Sequence, residues 1–293
     1  MTRGETSGRR LVARRYRYRD LVVRGRPFVW GQRTYLMAII NVTPDSFSGD
    51  GLGTDVDAAL ALAQRFEAEG ADILDIGGES TRPGALPLDP EAELARVLPA
   101  LVAIRSATLL PISIDSTHGT VVEAALAAGA DMVNDVRGLR GDSGVGVAVA
   151  RHGVPLVAMH NQRGAKFHDV VRDVRAGFFE TLRLAHDAGI SGANIILDPG
   201  FGFGWTPEQN LELVRRLPEL QDFELPMLLG VSRKSTIGLV LDAPAGERLE
   251  GTAAAVALSI AGGADIVRVH DLAPVRKVVR VADAIVRGNW RPE

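Results

Sequence analysis

The chain of 293 residues contains no cysteine. That excludes disulfide staples, thiolate metal sites and a cysteine nucleophile. It also lacks any stretch of about 20 unbroken apolar residues, the length a membrane-spanning helix needs. Neither sign of charge prevails: the formal net charge is −3, which gives no general electrostatic basis for nucleic acid or an anionic membrane as partner. No glycine-rich dinucleotide fingerprint follows the first apolar segment. What remains is ordinary globular composition, 46% hydrophobic and 24% charged. A single domain is compatible with this length, because α/β barrels routinely use about 250 residues as one unit. The cysteine count does not decide the redox compartment, and an intracellular location fits it.

The first residues, "MTRGETSGRRLVARRYRYRD", are rich in arginine and poor in acid. They lack the apolar segment of a secretory signal; an organelle transit peptide is the alternative to a disordered start over 1–20. The next stretch, "LVVRGRPFVWGQRTY", alternates apolar and polar residues around Gly25, Pro27 and Gly31. It predicts a short hairpin over 21–34 leading into a main domain over 35–290.

Short apolar segments of strand length recur along that domain: "YLMAII", "DILDI", "PISI", "DMVND", "PLVAM", "NIILD", "PMLLG" and "DIVRV". Longer segments of helical character separate most of them, among them 55–69, 90–106, 170–188 and 207–217. Three junctions nearly copy one another: "EGADILDIG", "AGADMVNDV" and "GGADIVRVH". In each, a glycine (Gly70, Gly129, Gly263) follows the helical stretch, as a left-handed helix end requires, and a strand begins at once. Alternation of this kind means βαβ units and a parallel sheet. Eight units predict an α/β fold of the (β/α)8 TIM-barrel type, with an open doubly wound sheet as the alternative.

Polar residues fall at the C-terminal ends of successive strands: Asn41, Asp75 with Glu79, Asp115, Asn134 with Asp135, His160, Asp198, Lys234 just beyond its strand, and Arg268 with His270. Barrel enzymes carry their active sites on that rim. The last segment is the most pointed. In "ADIVRVHD" the alternation of a strand puts Arg268 and His270 on one face and Val267 and Val269 on the other. Buried basic groups need an anion nearby. The run "ILDPGFGFGW" reads as a flexible turn presenting an aromatic face. "LLGVSRKSTIG" opens a helix at Ser235, whose free N–H groups suit a carboxylate or phosphate, with Arg233 and Lys234 adding positive field.

Taken together, "NVTPDSFS", "GGESTRPGA", "ILDPGFGF", "SRKSTIG" and "VRVHD" resemble the dihydropteroate synthase family, in its order and from about Tyr35 to Val286. That resemblance implies a pterin-binding transferase that joins 6-hydroxymethyl-7,8-dihydropterin diphosphate to 4-aminobenzoate and releases diphosphate. It implies that Asp198 grips the N–H edge of the pterin, helped by Asp115, Asn134 and Lys234, with Met159 as apolar floor. Arg268, His270, Asn41 and Arg82 are implied as diphosphate ligands, with a magnesium ion, Mg2+, between the phosphates and Asn41. Thr81, Pro83, Phe203 and Ser235 are implied around the aminobenzoate. Lys234, Arg268 and Asp115 are the implied catalytic groups, and a homodimer joined by the apolar last helices is the implied assembly.

Three stretches depart from the family pattern. Strand five ends "MHNQRGAKFHD", Trp205 stands where lysine is usual, and "SFSGDG" inverts a more common Asp-Gly-Gly. Two rival readings accompany the resemblance. One is a pterin-binding methyltransferase domain that serves a corrinoid protein. The other is a paralogue that binds pterin without catalysis.

Overall fold

The computed structural model describes residues 19–43, 55–79, 88–288 and 290–291. The expectation of a disordered start therefore lies, for residues 1–18, outside the described residues. After hairpin strands β1 (Leu21–Val23) and β2 (Arg26–Phe28), the chain runs β3 (Tyr35–Asn41), α1 (Val56–Glu69), β4 (Ile73–Gly77), α2 (Pro90–Ala107), β5 (Ile112–Asp115) and α3 (Gly119–Ala127). It continues β6 (Met132–Asp135), α4 (Ser143–His152), β7 (Leu156–Met159), α5 (Val170–Asp187), β8 (Ile195–Asp198) and α6 (Pro207–Arg215). Then come β9 (Leu228–Leu229), α7 (Ser235–Leu241), α8 (Leu249–Ala261), β10 (Ile266–Val269) and α9 (Leu272–Arg287). Each of the eight apolar segments of the sequence is thus a strand.

Those strands form one parallel sheet in the order β8-β7-β6-β5-β4-β3-β10-β9. Its two edges meet through a parallel bridge between Leu197 and Met227, where the Leu197 N–H donates to the Pro226 carbonyl at 2.9 Å. Closure makes this a (β/α)8 barrel and removes the open-sheet alternative. Five of the helices begin at a side chain that satisfies a free N–H group: Asp55, Asp89, Asp142, Asp169 and Thr206 each accept from the first turn that follows. At the copied junctions, Gly70, Gly129 and Gly263 have φ of 91°, 106° and 102°, a left-handed conformation that residues with a Cβ rarely adopt.

Side-chain alternation along the strands divides the apolar residues into two cores. Leu36, Ala38, Ile40, Leu74 and Ile76 point outward and pack with helix residues such as Phe66, Val97 and Leu101. Met37, Ile73, Met132, Val157, Ile196, Leu228 and Ile266 point inward and fill the lower half of the lumen. The hairpin closes that N-terminal mouth with Leu21, Val23, Phe28 and Trp30, against Tyr35. The tight turn of the hairpin has positive φ at both Arg24 and Gly25 (50° and 72°), which suits the twist of paired strands. Trp30 lies 5.6 Å from Tyr35 edge-on, and its indole N–H donates to the Arg19 carbonyl at 3.1 Å. The lumen is therefore apolar below, and its polar groups gather above.

Truncating the plug tests that arrangement. Trp30→Ala should lower the unfolding free energy by about 3–5 kcal/mol, read as a fall in the urea midpoint with an unchanged slope.

Candidate active site

The strand registers build the upper lumen row by row. Asn41, Gly77, Asp115 and Asn134 are successive partners across β3, β4, β5 and β6, and Met159 and Asp198 are partners across β7 and β8. One layer deeper, Asp75 pairs with Ile39 and Ser113. Arg268 on β10 reaches across this space. Its Nε donates to Asp75 Oδ2 at 2.6 Å and its Nη2 to Asp115 Oδ2 at 2.7 Å. The Asn134 amide donates to the same Asp75 oxygen at 3.1 Å.

The anion facing Arg268 is therefore, in this structure, a pair of aspartates of the chain itself. His270 lies just beyond the end of β10, with Nδ1 3.0 Å from Ser232 Oγ. Arg233 does not add to the field at the α7 start, because Nε and Nη2 donate to the Asp271 carboxylate at 2.9 and 2.5 Å. Lys234 does point into the site. Its Nζ sits 4.3 Å from the centre of the Phe203 ring, which also has the Arg163 guanidinium at 4.8 Å. Ser235 is exposed at the first turn of α7. Thr81, Arg82 and Pro83 lie outside the described residues.

The Gly-Phe run is packed, contrary to the flexible turn expected from sequence. Gly200, Gly202 and Gly204 have φ of 78°, 82° and 87°. A Cβ at Gly200 would lie 1.9 Å from the His160 carbonyl oxygen, and one at Gly204 2.4 Å from the Arg163 nitrogen. Glycine is required there because the turn is pressed against the segment after β7. That turn also donates the Gly200 N–H to Asp198 Oδ1 at 2.8 Å. Trp205, the unusual residue after the run, is buried with its ring 5.6 Å from that of His160. It packs beneath the rim. His160 itself is buried with Nε2 2.8 Å from Gln162 Oε1, and burial holds its pKa down to about 4. It is a neutral packing residue and not a rim ligand.

Burial sets the electrostatics of the remaining groups. Loss of water pushes the Asp115 carboxyl up to about 7; Arg268 opposes this, while Asp75, Glu93 and Asp135 add to it. Asp198 is pushed up to about 6 for the same reason, against the Gly200 N–H, Lys234 and Arg268. Lys234 is pushed down to about 8 by burial and by Arg268. An acid near neutrality and a lysine close to it can both respond to a ligand. A second polar cluster borders Asp115: Glu93 of α2 accepts from Ser116 at 3.1 Å and lies 2.7 Å from His118 Nδ1. Burial raises the Glu93 carboxyl. With Glu79, this is the one His/acid group among the described residues whose ligand atoms lie within 4.8 Å of one another.

Two features escaped the sequence reading. Asp75 stood on the rim by its position, yet it belongs beneath the site. It carries the same signal as Arg268, a charged residue at a lumen-facing position inside an apolar strand. The approach of Arg163 to Phe203 had no comparable signal, since it depends on how two loops fold together.

A closed barrel with ionisable groups focused in one mouth defines an enzyme of the (β/α)8 class. Residues 37–270 match the family described as pterin binding enzyme. A dihydropteroate synthase from Clostridium beijerinckii is 43% identical over 258 residues, covering 88% of this chain and 96% of its own. One from Synechocystis is 44% identical over 272 residues, covering 90% and 93%. The crystal structure of the Clostridium difficile enzyme, obtained in the presence of pteroic acid, superposes with a TM-score of 0.85 at 45% identity, covering 89% of this chain and 99% of that one. The Xanthomonas albilineans enzyme with 4-aminobenzoic acid gives 0.84 at 42%, covering 91% and 97%. The chain belongs to the dihydropteroate synthase family, transferases of the pterinylmethyl group.

Asp198 offers a test with a defined sign. Its folded pKa of about 6 lies above its ordinary 3.8, so the folded protein holds a proton that the unfolded chain releases. Stability from this group is present at low pH and declines as pH rises through 6. Asp198→Asn should therefore be more stable than the parent at pH 7.5, by up to about 3 kcal/mol, with the gap closing by pH 4. Urea unfolding at the two pH values measures it.

Proposed function

We propose that this barrel condenses 6-hydroxymethyl-7,8-dihydropterin diphosphate with 4-aminobenzoate to 7,8-dihydropteroate, with release of diphosphate. The observation that carries the reading is the set of Asp115, Asn134, Asp198, Lys234 and Arg268 in one desolvated mouth. A pterin has adjacent N–H donors on one edge and a ring carbonyl on another, and its diphosphate adds an anion. Asp198 accepts from the donor edge bidentately. Asp115 and Asn134 extend that contact, Lys234 donates to the carbonyl and N5 region, and Met159 forms the floor.

The reaction needs no protein nucleophile. The C9–O bond breaks with its electron pair leaving on the diphosphate, while the conjugated ring spreads the positive charge left on C9. Arg268, His270, Asn41 and Arg82 hold the leaving group. The arylamine, neutral at pH 7, forms the new C9–N bond and then loses its proton to solvent. Thr81, Pro83 and Phe203 flank its ring, and Ser235 with the first turn of α7 receives its carboxylate. Asn41, a lumen-facing hard oxygen donor in register with Gly77, suits magnesium, which keeps several waters and needs few protein ligands. Bound there, the ion would supply positive charge to the phosphates.

The rest of the reading concerns assembly and place. Leu258 on α8 and Val281 and Ile285 on α9 are 63%, 61% and 68% exposed, and we assign this apolar face to a homodimer contact. No helix among the described residues is long and apolar enough to cross a membrane; a cytoplasmic location belongs to the same proposal.

Incubation with both substrates should yield dihydropteroate and diphosphate in equal amounts, and pterin binding without product would leave only a binding protein. Arg268→Ala should lower kcat by about 100- to 1,000-fold, the scale of one lost transition-state donor. Binding of the pterin alone should change far less, and equal losses would remove Arg268 from the leaving-group site. Ile285→Asp should convert a dimer into a monomer in light scattering; an unchanged mass would place the contact elsewhere.

A further inference from the structure

Asp75 is fully buried, so it cannot touch a ligand seated in the mouth, yet it touches two groups that can. We propose that Asp75 is the positioning residue of this site, fixing the guanidinium of Arg268 and the amide of Asn134 through one carboxylate oxygen. The inference rests on the synthase reading above and gives it a part that the family comparisons leave unassigned.

Three observations support the role. First, the two carboxylates meet Nε and Nη2 of Arg268. Of the five N–H donors of a guanidinium, this leaves both on Nη1 and the second on Nη2 to meet a leaving diphosphate. Asp75 thus determines which edge of the fork is offered. Second, the Asn134 amide nitrogen is committed to Asp75 at 3.1 Å, so its carbonyl oxygen faces the other way, as an acceptor for a ring N–H. Third, a structural ion pair would need one acid fewer. Asp115 already meets Arg268 at 2.7 Å, while Asp75 Oδ1 is buried and accepts no hydrogen bond. A buried carboxylate with an unsatisfied oxygen is costly to keep. Its retention follows if the other oxygen holds two working side chains in place.

The role predicts a separable pattern in Asp75→Ala, which removes the shared acceptor. kcat should fall about 30-fold through Arg268, and the dissociation constant of the pterin should rise about 10-fold through Asn134. The KM for 4-aminobenzoate should stay within about 2-fold, because none of its proposed contacts involves Asp75. A double-mutant cycle isolates the first effect. In an Arg268→Lys background, which lacks the Nε–Oδ2 bond, Asp75→Ala should lower kcat less than about 3-fold further. A full 30-fold loss in both backgrounds would overturn the proposal, as would an unchanged pterin affinity. Asp75→Glu, which keeps the charge but moves it, covers the case in which the neutral variant does not fold; wild-type kcat in that variant would also overturn it. Failure of the parent protein to make dihydropteroate would instead refute the activity, while pterin calorimetry on the variants still decides the Asn134 arm.

Discussion

The upper lumen depends on keeping charge out of water. Three aspartates, an arginine and a lysine share one end of a closed barrel, and each group reaches a stable state only through its neighbours. Taken singly, any of them would neutralise or cost several kcal/mol. Together they form a preset field. The apolar plug below supports this, because Trp30, Phe28 and Tyr35 fill the lower mouth beneath the acids. A defect at the hairpin would thus reach the chemistry through the dielectric, and not through any contact with substrate.

Much of the architecture was legible because barrels repeat a local rule. Apolar strand segments alternated with helical ones, glycines such as Gly70 marked where a strand begins, and eight copies of such units leave few closed arrangements. The site was legible for a related reason. A parallel strand is apolar on both faces, so a lone charged residue within it, Arg268 or Asp198, has no bland place to go. What stayed hidden was pairing. Alternation shows that Arg268 points inward but not that β4 and β5 bring aspartates to it across β3. Arg233, four residues beyond the end of β9, looked like part of the same positive patch until α9 supplied Asp271 at its own N-terminus. Partnerships between distant segments follow from packing, which no local pattern encodes.

The glycines of the GFGFG run illustrate the opposite error. Glycine in a loop is easily taken as freedom, and here it is the consequence of crowding. The His160 carbonyl and the Arg163 nitrogen stand where a methyl group would be. The turn is thereby fixed, and so is the N–H that it gives to Asp198. His160 shows how position alone says little: it stands among the polar residues at the strand ends, but desolvation and a glutamine partner leave it neutral. Trp205 explains itself in this frame, since its ring fills the space under that segment.

The field in the mouth is not balanced by its own groups. Burial pushes the Asp115 carboxyl up to about 7 although it already holds one guanidinium bond. A ligand that offers N–H donors would favour its charged form, and a leaving anion would compete for the same arginine. These demands are opposite in sign and act on the one bridge from Asp115 to Arg268. On the proposed roles, negative charge building on the leaving group would compete with Asp115 for Nη2 of Arg268, while Asp75 keeps hold of Nε. The Asp115 carboxylate would then be freer to meet a ring that is gaining positive charge. Preorganised dipoles lower a barrier when little must reorganise at the moment of reaction, and here the reorganisation is confined to one hydrogen bond between groups already in contact.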